Sequence, residues 1–167
     1  MPPMSPAAAD GPVGPYRVTQ LSIEDGMAIA MWPAPGPWAV QDALQAPRPD
    51  EGYWAVRDAG DALVGYCCLG QSARPPGLDA SPTLLDVALG LAPRWTGRRL
   101  SRDFAASVVQ HARSVADDRG LRCSVASWNT VGRRTAEAVG FRGVGVHHAA
   151  ADSTTEFYFV FQMGATR

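Results

Sequence analysis

The chain of 167 residues contains no lysine; all fifteen of its basic residues are arginine. That excludes Schiff-base chemistry and the lysine of a phosphate-binding loop. GC-rich codon usage is the blander account of the bias itself. Cysteine is scarce: Cys67, Cys68 and Cys123 fit neither a paired disulfide framework nor zinc-ligand spacing. Cys67 and Cys68 are adjacent, so in a strand they point to opposite faces, and all three read as small buried hydrophobes in a reducing compartment. Neither sign of charge prevails. Charged residues make up 19% of the chain and the formal net charge is -1, so no global field favours nucleic acid or an anionic membrane, and any anion site must be local. No apolar stretch approaches the ~18 residues needed to span a bilayer. No Ser/His/Asp or Cys/His set with recognisable spacing appears, and no metal is expected. Residues 1–15 are rich in Pro, Ala and Gly and lack the basic start and apolar run of a signal peptide. A disordered tail, followed by one domain over residues 16–163 in the cytoplasm, is the expectation.

What is present suffices for a core: 46% of residues are hydrophobic, and a chain of this size buries roughly 70% of the surface it exposes when unfolded. Residues 16–20 alternate as a first strand. Ser22 reads as a helix N-cap, with Glu24 and Asp25 in the first turn and Ile23, Met27 and Ala30 at helical spacing until Pro33 stops the pattern. Residues 31–49 hold five prolines among Trp32, Trp38 and Leu44, predicting an irregular loop with a short helix at 38–44. Strands at 53–58 and 62–70 flank Ala59-Gly60-Asp61, a hairpin signal. After a Gly/Pro-rich loop at 71–82, residues 83–91 alternate through Leu85, Val87, Leu89 and Leu91. A helix over 100–118 follows, with Phe104, Val108, Val109, Ala112, Val115 and Ala116 as its buried stripe and Gly120 as its C′ residue. A strand at 121–127, a helix from an Asn129 N-cap to Val139 with Gly140 beyond it, and strands at 141–148 and 155–163 complete the chain. The crossover from 83 to 127 demands at least one parallel strand pair. The class is mixed α/β around one central sheet.

Chemistry concentrates between Leu91 and Arg102. A strand end meets a helix start there, where free backbone N–H groups and the helix dipole favour an anion. Arg94, Arg98, Arg99 and Arg102 crowd this turn, and guanidinium groups suit phosphates through bidentate, charge-assisted bonds. A ligand with several phosphates is the physical inference; a solvated basic turn paired with Asp103 or Asp118 is the bland one.

Over residues 16–163 the pattern resembles the GCN5-related N-acetyltransferase family. The match is carried by the Trp/Pro-rich segment from Met31-Trp32-Pro33 to Pro37-Trp38, by Leu85-Asp86-Val87-Ala88-Leu89-Gly90-Leu91-Ala92-Pro93, by Trp128-Asn129 followed by Ala138-Val139-Gly140-Phe141, and by the aromatic strand 157–163. Asn129 is the chain's only asparagine. The resemblance implies a mixed sheet of about seven strands with a splayed parallel pair and helices on both faces. It further implies acetyl-coenzyme A as co-substrate and a small-molecule or peptide amine as acceptor, with neither nucleic acid nor membrane as partner. In the family a bulge splays the fourth strand from the fifth and pantetheine lies in the wedge. Backbone groups near Leu89 and Leu91 would pair with it, and Leu89 N–H would polarise the thioester carbonyl. Thr96, Gly97, Arg98, Arg99, Leu100 and Ser101 would hold the pyrophosphate, and Asn129 would sit near the pantetheine arm or an ordered water.

The sequence departs from the family at two places. The family loop reads Q/R-x-x-G-x-G/A, and the aligned positions are Thr96, Arg99 and Ser101, so both glycines are replaced. The tyrosine that many members use as general acid aligns with Ala136. For a general base, Asp86 is the first candidate and Glu156 the second. His111, inside the long helix, reads as a surface or edge residue, and His147 and His148 as structural. Trp32, Trp38, Tyr53 and Trp54 could line an acceptor pocket or a homodimer contact, although core packing is the commoner fate of such residues. The competing readings are a non-catalytic member serving binding or assembly, motivated by Arg99, Ser101 and Ala136, and a phosphate-binding module for another nucleotide.

Overall fold

The computed structural model describes residues 14–32, 46–95, 101–149, 155 and 157–165. Strand β1 (Arg17–Gln20) leads into helix α1 (Ile23–Ala30), whose start is fixed locally. Ser22 Oγ accepts from the Asp25 N–H and Asp25 Oδ2 accepts from the Ser22 N–H, each at 3.0 Å, a reciprocal cap that satisfies two orphan donors. Arg57 Nη2 reaches both Asp25 oxygens at 2.7 Å, tying the helix start to β2 (Tyr53–Arg57). Burial alone would raise the Asp25 pKa, but the Ser22 bonds and the Arg57 guanidinium outweigh it and hold the carboxyl below its usual range. A depressed folded-state pKa contributes stability above about pH 4, the ordinary aspartate range, and loses it as pH falls through the folded value. Asp25→Asn should therefore lower the melting temperature by about 4–8 °C at pH 7, for a loss of about 2 kcal/mol. Thermal scans from pH 7 to pH 2 should show the gap from wild type closing on the acid side.

The hairpin of β2 and β3 (Leu63–Leu69) carries the alternation that divides two cores. Trp54 and Val56 join one cluster with Cys67, Leu85, Val87, Phe104, Val108 and Leu121. Tyr53 and Ala55 join another with Leu21, Ile29, Trp32 and Tyr66. Cys67 and Cys68 are both buried, one on each face, and burial pushes their thiols and that of Cys123 up to about 12, which leaves them protonated and unreactive.

After β4 (Leu84–Leu91), helix α2 (Ser101–Ala116) crosses one face and delivers β5 (Gly120–Ala126); α3 (Thr130–Ala138), β6 (Arg142–His148) and β7 (Phe157–Met163) follow. The sheet has seven strands in the order β1-β2-β3-β4-β5-β7-β6. Among the described residues only β4 and β5 pair in parallel. Among the described residues no helix is long and apolar enough to cross a membrane.

Three local expectations are corrected. Gly120 is not the helix C′ residue: α2 ends at Ala116, Asp117 takes the left-handed conformation (φ 59°), and Gly120 opens β5. Glycine is needed there because a Cβ would lie 2.5 Å from Met163 O. Val115 leaves the buried stripe and is exposed, while Ala105 is buried. His111, seven residues after Phe104, lies on the inner side with its ring 4.5 Å from Trp54; burial lowers its pKa. Residues 1–13 of the tail expected at 1–15, the short helix at 38–44, Trp38 and the loop 96–100 lie outside the described residues.

Candidate active site

The site follows from where two strands stop pairing. β4 and β5 are in parallel register at Leu84↔Gly120, Leu85↔Leu121 and Asp86↔Arg122, and there the ladder ends, although β4 continues to Leu91 and β5 to Ala126. Each strand keeps its other neighbour, β4 with β3 out to Gly65↔Leu91 and β5 with β7 out to Ala126↔Tyr158. The two halves of the sheet therefore open into a wedge. The splay arises without the expected bulge between Val87 and Leu91, where the β3–β4 register runs without a shift.

The hydrogen-bond parity of each strand fixes what lines the opening. Ala92 N–H donates to Val64 O at 2.8 Å, so even-numbered residues of β4 direct their peptide groups to β3. The Asp86↔Arg122 pairing uses the Val87 N–H on Arg122 O, so beyond it the Val87 C=O and the N–H and C=O groups of Leu89 and Leu91 face the opening unpaired by β5. Gly120 N–H donates to Thr83 O at 2.9 Å, which orients the even-numbered residues of β5, including Ser124 and Ala126, toward β4. Leu89 is 40% exposed, and Cys123, Ser124 and Val125 are half-buried on the opposite wall. Unpaired strand edges in a wedge suit an extended ligand that carries amides of its own. The sequence reading had singled out Leu89 and Leu91; both are on this edge.

At the vertex stands Asp86, 3% exposed. Arg122 Nε donates to its Oδ1 at 2.6 Å and Arg122 Nη2 to its Oδ2 at 3.0 Å, forming a fork. Arg74 Nη1 adds a longer bond to Oδ2 at 3.4 Å, and Arg122 Nη2 also donates to Asp79 O at 2.7 Å. Guanidinium donors thus occupy three of the roughly four acceptor positions of the carboxylate. Asp86, expected as a general base, therefore stands in a fork of arginines whose geometry suits a brace closing the wedge where the ladder stops. Asp86 and its partners are 12 and 36 residues apart, which is why the sequence did not reveal the arrangement. Arg74 further lines a cleft of about 680 Å³ with Asp50, Glu51, Gly52, Leu69, Gln71 and Ser72. The loop carrying Asp79 is held again where His147 Nε2 meets Pro76 O at 2.9 Å, a structural use of that histidine.

The far end of the wedge is framed by two helix starts. α2 begins at Ser101, beyond a 3-10 turn at Pro93–Trp95, and Arg94 lies over the Trp95 ring at 5.5 Å. Asn129 caps α3, its Oδ1 accepting from the Gly132 N–H at 2.8 Å. Thr96, Gly97, Arg98, Arg99 and Leu100, expected around the pyrophosphate, and Glu156, expected as a second base, lie outside the described residues. Ala136, aligned with the tyrosine, is buried in the core cluster. Tyr66, which the sequence reading did not select, lies across Gly90: a Cβ there would overlap its ring and come within 2.7 Å of its hydroxyl. Among the described residues no cluster of metal-ligating side chains occurs.

Comparisons with known proteins agree with this geometry. The profile of the acetyltransferase (GNAT) domain matches residues 21–142. No curated protein matches the sequence. Solved structures with the same fold include aminoglycoside acetyltransferase AAC(6')-Ib in complex with coenzyme A, 12% identical over 90% of this chain and 95% of that one, TM-score 0.69. A spermidine N-acetyltransferase chimera from Vibrio cholerae and hSSAT is 14% identical over 89% and 93%, TM-score 0.61. A ribosomal-protein alanine N-acetyltransferase from Escherichia coli is 12% identical over 92% and 96%, TM-score 0.60.

Proposed function

The chain belongs to the acetyltransferase (GNAT) domain family, and from that premise we propose that it moves an acetyl group from acetyl-coenzyme A to a primary amine by direct attack, without a metal. The observation that carries this reading is the unpaired β4 edge beyond Asp86. Odd-numbered residues offer N–H and C=O groups there at strand spacing, which fits the two amides of a pantetheine arm.

In this reading Val87, Leu89 and Leu91 hold the arm by main-chain bonds, and the loop from Thr96 to Ser101, at the start of α2, holds the pyrophosphate. Loss of the loop glycines at 99 and 101 leaves the backbone donors in place, since every residue but proline keeps its N–H. Acetyl-coenzyme A supplies, when bound, a thioester carbonyl open to an amine. Leu89 N–H is aimed into the wedge to polarise that carbonyl. Orientation of the two reactants is itself worth about 7–11 kcal/mol, whereas a missing general acid costs roughly 10²–10⁴ in rate, so Ala136 is compatible with a working enzyme.

The acceptor is a small or peptide amine. Proteins of this fold named for an aminoglycoside, for spermidine and for a ribosomal-protein alanine share 12–14% identity with the chain, so the fold itself does not select among these acceptors. Calorimetric titration with coenzyme A tests the reading. Micromolar binding, with adenosine diphosphate at least tenfold weaker, is expected. Equal affinity for the two would point to a nucleotide module, and no binding at millimolar coenzyme A would remove the transferase assignment. Thiol release from acetyl-coenzyme A in the presence of polyamines, aminoglycosides and peptide amines then separates an enzyme from a binding domain.

A further inference from the structure

Three buried side-chain polar atoms among the described residues have no hydrogen-bond partner: His111 Nε2, Arg133 Nε and Ser124 Oγ. Two of these belong to side chains with another stated use. The His111 ring packs on Trp54 at 4.5 Å, and the Arg133 guanidinium lies over the Phe159 ring at 4.5 Å. Ser124 has no such use, and it stands on the wedge.

Its position can be read from the register. The β4–β5 pairing keeps a constant offset of 36 residues from Leu84↔Gly120 to Asp86↔Arg122. Continued past the point where pairing stops, that offset sets Ser124 across the opening from Ala88, beside Leu89. Alternation along β5 puts its side chain on the same face as Arg122, whose guanidinium grips Asp86 at the vertex. Even parity turns its main-chain N–H and C=O toward β4 as well. A hydroxyl shielded from solvent and lacking a partner destabilises a folded protein. Alanine fits a half-buried strand position without that cost, so the site retains a donor that the ligand-free fold does not use.

We propose that Ser124 turns about χ1 when the wedge is filled and that its Oγ–H, closed off in the ligand-free fold, then donates a hydrogen bond to the sulfur of the acyl thioester, on the β5 wall opposite the carbonyl-polarising Leu89 N–H. This inference rests on the acetyl-coenzyme A reading above and deepens it, because it supplies a donor where the aligned tyrosine is replaced by Ala136. The hydroxyl is not consumed. A C–N bond forms, the C–S bond breaks, and the proton lost by the attacking nitrogen ends on the sulfur, while Ser124 stabilises the charge that gathers there and keeps its own proton. Nothing is oxidised and no further reactant is required.

Two measurements on the full chain test this, and neither needs the acceptor. Titration calorimetry compares coenzyme A with desulfo-coenzyme A, which lacks the sulfur. Wild type should bind coenzyme A about three- to tenfold more tightly; Ser124→Ala should bind both equally, and Ser124→Thr, which keeps the hydroxyl, should retain the preference. Thermal scans of the ligand-free proteins supply the second readout. Removing an unsatisfied hydroxyl should leave the melting temperature of Ser124→Ala unchanged or raise it by about 2–4 °C. A Ser124→Ala variant that still distinguishes the two ligands, or that melts several degrees lower without ligand, would overturn the assignment while leaving the acetyl-coenzyme A reading intact. Failure of wild type to bind coenzyme A at all would remove both.

Discussion

Asp86→Asn should melt about 10 °C below wild type and weaken coenzyme A binding at the same time. The reason lies in charge count. Arg122 is 10% exposed at its side chain and Arg74 20%, and both aim at one carboxylate. Neutralising it leaves two guanidinium groups side by side without a counter-charge in a poorly solvated place, and sets an amide NH2 against a guanidinium donor where an oxygen accepted. Removing one member of a buried ion pair costs about 3–5 kcal/mol, and a domain of this length loses about 2–4 °C for each. The wedge should respond because the pair occupies the last register position before the strands part. With the brace loosened, the angle of the opening is no longer fixed. Asp86→Leu combined with Arg122→Met removes both charges of the closer pair and leaves the more exposed Arg74 to solvent, so it should recover most of the stability, as apolar replacements of buried pairs do. A general base predicts the opposite pattern: Asp86→Asn would fold at the wild-type temperature, bind coenzyme A normally and lose only turnover.

The contrast between Asp25 and Asp86 shows how far a sequence can be read. Asp25 works with Ser22, three residues away, and a capping pattern at that spacing is visible as text. Asp86 works with arginines 12 and 36 residues away, and nothing local distinguishes it from a catalytic carboxylate. The parallel pair itself was legible, because a strand, a long amphipathic helix and a strand can close in few ways. The length of its ladder was not, since pairing that stops at residue 86 in a strand reaching 91 reflects the packing of whole sheet halves. Leu89 and Leu91 were reached through family resemblance rather than chemistry. Ser124 offered no signal at all: a serine in a strand is unremarkable until its partners are counted. The Gly120 error has a similar origin. A glycine soon after a helix satisfies the C-cap rule, yet this one is required by a carbonyl 2.5 Å from its missing Cβ, on a strand more than forty residues later.

Phe104→Ala should be the other costly substitution, at about 3–5 kcal/mol, the usual range for emptying a fully buried aromatic site. Phe104 has no exposed surface and sits in the first turn of α2, with its ring edge-on to Tyr16 at 6.0 Å between centroids. It rests against β3 through a gap made for it: a Cβ on Gly65 would overlap the ring and lie 2.5 Å from Gly90 O. This contact locks the start of α2 to the β3–β4 pair, so it fixes the helix start, where the phosphates are proposed to bind, relative to the wedge. Loss of the ring should therefore weaken coenzyme A binding in addition to lowering the melting temperature by about 10 °C. Gly65→Ala attacks the same contact from the sheet side and should cost about 1–3 kcal/mol by overpacking. The double variant separates its two obstacles. Were the ring the main obstruction, an alanine at 65 would be harmless once Phe104 is gone. The Gly90 carbonyl is backbone and cannot rotate away, so Gly65→Ala should still destabilise Phe104→Ala, by less than it destabilises wild type. Urea denaturation of the four proteins measures that coupling, and a double variant as stable as Phe104→Ala alone would show that β3 and β4 can separate at this point without cost.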